Sequence, residues 1–176
     1  MTGAKKAPVI ATVEELLARA RAMENEAADR YEDFAAQMDQ HNNKELAALF
    51  LKLAEFERRH GDEIGESFAG MSVASAPAAP LARNRSEGIE TPPVESLHYL
   101  MTPYHALLIA LQAEENAERF FSTLARNTAS ADVRNLARKF AADEKEHVRM
   151  VREWLARVPK PADDWAYDPD EPRMPE

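Results

Sequence analysis

Cysteine is missing from this 176-residue sequence. Its absence excludes disulfides, thiolate zinc sites, iron–sulfur clusters and any iron centre held by four thiolates within the chain. Glycine occurs only five times and β-branched runs are scarce, while Ala, Leu, Glu, Arg and Lys dominate, a composition that favours helix. Surplus positive charge is also lacking: the net charge of −9 argues against a nucleic-acid partner, because phosphate binding needs clustered Lys and Arg. No apolar run could span a bilayer, so no membrane partner is expected. The opening MTGAKKAPVIA has two lysines but an apolar stretch too short for a signal peptide, and a soluble cytoplasmic protein is the default expectation. What is present is 45% hydrophobic and 30% charged residues, enough for one domain with a sizeable core.

Helical signals divide the chain. After an N-terminal extension, residues 1–11, Thr12 and Glu15 form a capping box. Leu16, Leu17, Ala20, Ala27, Ala28, Tyr31, Phe34, Ala35 and Met38 follow at helical spacing. Asn42 and Asn43 interrupt this stripe and can cap a second helix from about Lys44 to Ser67, with Leu46, Ala47, Phe50, Leu53, Ala54 and Ile64 on one face. So short a turn makes the two helices antiparallel neighbours. Residues 70–101, rich in Ala, Ser and Pro, read as a long crossover, with room for a helical turn around Val94–Leu100. Thr102 and Pro103 then start a third helix, to about Arg126, and a fourth covers roughly Ala131–Val158, stopped by Pro159 and Pro161. The expected fold is therefore all-α: an antiparallel four-helix bundle of the ferritin-like kind over 12–158, with a long crossover between helices two and three. The tail 159–176 is too rich in Pro and Asp for a helix, though Trp165 and Tyr167 can pin it to a surface.

Two of these helices carry a Glu and a His three residues apart: Glu57/His60 and Glu144/His147. Positions i and i+3 share a helix face, so each pair presents a carboxylate with an imidazole. Alone the motif is weak. With 21 Glu in the chain it arises by chance roughly one time in eight for a given His, and Glu95/His98 in the crossover is a third occurrence. Its placement is more telling, because both pairs fall within apolar stripes where an unpaired charge is costly, Glu144 among Leu136, Phe140, Ala141, Val148 and Val151. Glu24 and Glu114 repeat the anomaly on the other two helices. The halves also align as copies, matching Glu24 to Glu114, Ala27 to Ala117, Ala35 to Ala125, Ala54 to Ala141, Glu57 to Glu144 and His60 to His147.

Four carboxylates within a few Å cannot all stay ionised in a low-dielectric core. Two divalent cations supply +4 against −4 and make the cluster neutral. Oxygen and imidazole ligands without thiolate suit Fe or Mn, and raw affinity also allows Zn. The metal candidates are thus Glu24, Glu57, His60, Glu114, Glu144 and His147. The blander alternative places these residues on polar bundle faces.

The Glu-Lys-Glu-His-Val run at 144–148 and the Glu-x6-Tyr run at 24–31 resemble the ferritin-like di-iron carboxylate proteins, and among them the iron domain of rubrerythrins. The likeness spans the four helices. It implies two Fe ions, with Glu57 and Glu144 bridging and one imidazole per metal. It also implies a peroxidase or ferroxidase reacting with peroxide or oxygen, and a homodimer. Rubrerythrins proper carry a C-terminal rubredoxin domain that delivers electrons. This cysteine-free chain would instead draw on a separate electron-donor protein.

The resemblance further implies an extra Glu that binds the oxidised metal, three residues after the third-helix ligand. Here the candidate is Glu118, four after Glu114; taking Glu115 as ligand restores the spacing but lies on a more polar face. Tyr31 and Glu118 are the candidate catalytic residues, with packing and a solvated charge as their respective alternatives. His41 and His105, at helix ends, and Glu26, Glu55 and Glu146 read as solvated. Other functions open on the same scaffold are substrate hydroxylation, which needs a pocket beside the metals, and non-enzymatic metal handling or an interaction bundle.

Overall fold

The structure, a computed structural model, describes residues 10–67 and 97–167. Four helices occupy most of them: α1 (Val13–Gln40), α2 (Lys44–Ser67), α3 (Pro103–Asn127) and α4 (Ala131–Leu155). Among the described residues there is no strand, and no helix is long and apolar enough to cross a membrane.

The ends form where the sequence places its caps. Thr12 Oγ1 accepts from Glu15 N at 3.2 Å while the Glu15 carboxylate accepts from Thr12 N, so two otherwise orphaned donors are satisfied. The α1–α2 turn needs a left-handed residue, and Asn42 supplies it with φ 59°. Asn43 next to it accepts from Leu46 N and also donates to Met101 O at 2.9 Å, tying this turn to the approach of α3. At α3, Thr102 N donates to His105 Nδ1, and at α4 the Ser130 hydroxyl accepts from Val133 N.

The apolar residues collect in two clusters. One joins the C-terminal part of α1 (Tyr31, Phe34, Met38) to the N-terminal parts of α2 (Leu46, Phe50, Leu53) and α3 (Ala106, Leu107, Ala110), together with Val151 of α4. The other joins Leu16, Leu17, Ala20 and Met23 to Phe121, Ala125, Val133, Ala137 and Phe140. This distribution fixes the topology: α2 and α3 start at the same end of the bundle. The end of α2 and the start of α3 therefore lie at opposite ends of the bundle, a helix length of 24 residues or about 36 Å apart. Each hairpin is closely packed within itself, α1 on α2 and α3 on α4, and the two hairpins approach one another less closely. The result is a ferritin-like four-helix bundle.

Three expectations need adjustment. α4 stops at Leu155 rather than Val158, and its buried stripe runs Val133, Ala137, Phe140, Glu144, so Leu136 and Ala141 sit at the margin. Trp165 does pin the tail, packing on the first apolar cluster, but Tyr167 is exposed. His105 is not simply solvated: its ring centroid lies 3.9 Å from that of Trp165. Most of the expected crossover, Glu95 and the chain's two extremities lie outside the described residues.

Candidate metal centre

Between the two apolar clusters lies a polar layer, one glutamate from each helix. Glu24, Glu57, Glu114 and Glu144 are between 4% and 7% exposed and are the only charged residues buried among the described ones. They sort by hairpin. Glu24, Glu57 and His60 bring one ligand-type atom each within 4.8 Å of one another, and so do Glu114, Glu144 and His147. The imidazoles of His60 and His147 stack at 4.1 Å, 11° from parallel, so the two groups face each other across the bundle. A small cavity between them is lined by the four glutamates with Met23, Ala27, Ala113 and Ala117. The three alanines leave the space.

The electrostatics are those of a cluster lacking positive charge. Burial raises the pKa of all four carboxyls, most strongly at Glu57, where Glu114, Glu24 and Glu144 add their repulsion. Glu114 is pushed up to about 7, with the His147 contact opposing the rise. Burial alone would depress His147, but its Nδ1 lies 3.3 Å from both Glu114 and Glu144, and their charges hold it up at about 10. His60 has no such contact within ion-pair distance; burial, the charge of His147 and Arg59 lower it to about 4.

Buried polar atoms normally have hydrogen-bond partners. Among the described residues four buried side-chain atoms do not: His60 Nδ1, His147 Nδ1, Tyr31 Oη and Gln37 Oε1. The two imidazole nitrogens belong to the Glu-Glu-His groups, and the Tyr31 hydroxyl is near enough to feel the charges of Glu57, Glu114 and Glu24. His147 Nδ1 stands 3.3 Å from two carboxylates without meeting hydrogen-bond geometry and His60 Nδ1 has no partner, and a pair of cations would complete both. The residues fit a dinuclear metal site.

Other candidates fall around it. Tyr31 is fully buried, stacked on Phe50 at 6.2 Å, and burial and the charges of Glu57, Glu114 and Glu24 keep its hydroxyl protonated. Glu118 is half-buried one turn beyond Glu114 and belongs to neither group. Glu115 pairs with Arg152 of α4 at 2.6 Å, which leaves Glu114 as the inward residue. Gly61 lets α1 and α2 close up here: a Cβ on it would lie 3.2 Å from Asn25 Oδ1 and 3.5 Å from the Cβ of Glu24.

The family model for rubrerythrin matches residues 15–155, all four helices but for the first two residues of α1. The chain belongs to the rubrerythrin family. Among solved structures it is similar to an uncharacterized conserved protein from Magnetospirillum magnetotacticum MS-1, a crystal structure at 2.00 Å resolution. The two are 38% identical with a TM-score of 0.63, over 86% of this chain and 98% of that one. No curated protein matches the chain. Membership of the rubrerythrin family agrees with the two facing Glu-Glu-His groups, and together they point to a di-iron type of site.

Sequence reasoning missed Phe56. Its ring lies 4.3 Å from His60 and 5.2 Å from His147. A signal was present, since an aromatic four residues before a histidine shares its helix face.

Proposed function

We propose that this chain is a di-iron oxidoreductase that reacts with peroxide or oxygen and is re-reduced by a separate donor protein. In this reading Glu24, Glu57 and His60 hold one iron, and Glu114, Glu144 and His147 hold the other. The observation that carries it is the pair of Glu-Glu-His groups facing each other around one small cavity. A bound iron pair supplies redox equivalents to the oxidant. The four carboxylates fix the site's geometry and balance its charge. Tyr31, held protonated close to these carboxylates, has a hydroxyl free to donate a hydrogen bond toward the site. The cavity walls beyond the ligands are one methionine and three alanines, enclosing room for a small oxidant rather than an organic molecule. That favours peroxide or oxygen over substrate hydroxylation.

Elemental analysis after anaerobic iron loading tests the site: two irons per chain and a higher melting temperature are expected. Iron near zero with an unchanged melting temperature overturns the proposal. The loaded protein is then mixed with peroxide or with oxygen. Replacement of Glu118 by Gln is expected to leave two irons bound and to slow oxidation by peroxide relative to oxygen. Equal rates in wild type and variant would assign Glu118 to the surface and remove the preference for peroxide.

A further inference from the structure

Metal-binding histidines almost always donate their second ring N–H to a carboxylate, a carbonyl or water, which fixes the ring's orientation. Neither histidine of this site makes such a bond within the described chain. His60 Nδ1 is buried without a hydrogen-bond partner, and His147 Nδ1 has only Glu114 and Glu144, each at 3.3 Å, which are themselves candidate ligands. Rings take the place of hydrogen bonds. The imidazoles stack on one another, and Phe56 stands edge-on against both, at 63° to His60 and 73° to His147. Phe56 is itself held, with the Arg59 guanidinium 5.7 Å from its centroid and Trp154 of α4 6.4 Å away at 71°.

We propose that Phe56 is the positioning residue of the metal centre, orienting both imidazoles through edge-on ring contact where other sites use hydrogen bonds. The inference rests on the proposed metal pair. It also predicts which half depends on it more. His147 has Glu114 and Glu144 at 3.3 Å to keep it in place, whereas His60 has no ion-pair contact and only ring neighbours. The internal repeat supplies no second such ring, for the residue corresponding to Phe56 in the second hairpin is the exposed Asp143. One phenylalanine serves both halves.

The test is a Co(II) titration followed by visible absorption, with the melting temperature of the metal-free protein measured alongside. Wild type is expected to take up two Co(II). In Phe56→Leu the first ion should bind within about twofold of wild type and the second about tenfold or more weakly, the range seen when an outer partner of a ligand is removed. Phe56→Met, closer in volume, carries the same expectation, and Phe56→Tyr should restore the wild-type ratio. If both aliphatic variants lower the metal-free melting temperature but leave the two affinities in the wild-type ratio, Phe56 only packs. Wild type that binds no Co(II) sinks the metal pair and this role with it; two bound ions with an unchanged ratio sink this role alone.

Discussion

The two hairpins present the same ligand-type residues in different surroundings. Glu24, Glu57 and His60 repeat as Glu114, Glu144 and His147, and alanines repeat beside them. Around that frame the copies diverge. Tyr31 corresponds to Phe121, Gly61 to Val148 and Phe56 to Asp143. His147 is clasped between two carboxylates while His60 touches only rings. Ligand identity is held fixed because charge and coordination leave little choice. The neighbours are free to differ, and they make the halves unequal: the first hairpin has the hydroxyl and the loosely held imidazole, the second has the preformed ionic contact.

The largest expected effect removes the shared frame. Glu57→Gln should drop bound metal from two ions per chain to one or fewer by elemental analysis. The same change should stabilise the metal-free protein. Burial and the charges of Glu114, Glu24 and Glu144 raise the pKa of the Glu57 carboxyl and make its ionised form costly, and an amide escapes that cost. A rise of about 2–4 °C in melting temperature corresponds to about 1 kcal/mol in a domain of this size. A metal-free variant less stable than wild type would mean that Glu57 is already paid for by partners in the folded chain.

A smaller effect is expected where the halves differ in a single oxygen. Tyr31→Phe makes the first hairpin match Phe121 of the second and should leave two irons bound. It should slow the peroxide reaction about tenfold or more if the hydroxyl donates during oxidation, measured by stopped-flow absorption. Metal-free stability should change by less than about 1 kcal/mol, because the hydroxyl has no hydrogen bond to lose. An unchanged rate would make Tyr31 a packing residue, equivalent to its counterpart.

The smallest effect concerns His147 in the metal-free protein. Its pKa is raised from 6.5 to about 10, so between these values the folded state binds more protons than the unfolded state. Stability must then fall as pH rises through that window. His60, lowered to about 4, acts in the opposite sense only below 6.5, and Glu114, raised to about 7, adds to the decline only at the lower end of the window, so the part above pH 8 belongs to His147. Thermal melts from pH 6.5 to 10 should show this decline without metal and lose it once metal replaces the proton. A flat metal-free profile would show that the second hairpin's ionic contact is absent in solution.

Much of this was legible in the chain. The Thr12–Glu15 box, the Asn42–Asn43 break and Thr102-Pro103 mark helix ends by local chemistry, and the structure closes its helices there. A glutamate inside an apolar stripe is conspicuous in one dimension, which is why four of them stand out in the sequence. The α4 stripe was harder. Alanines and leucines fill more than one face of that helix, so apolar spacing alone could not choose between Leu136 and Ala137.

The sequence by itself therefore determined the helices, their pairing into hairpins and the set of inward carboxylates and imidazoles, because periodicity and capping are short-range properties. Only the tertiary structure decided that Trp165 of the tail closes on His105, that His147 lies between two carboxylates while His60 does not, and that Phe56 touches both imidazoles. Those facts depend on how one hairpin sits against the other and where the tail folds back. That arrangement is set by side-chain packing between residues as far apart in the chain as Phe56 and Trp154, and no local pattern encodes it.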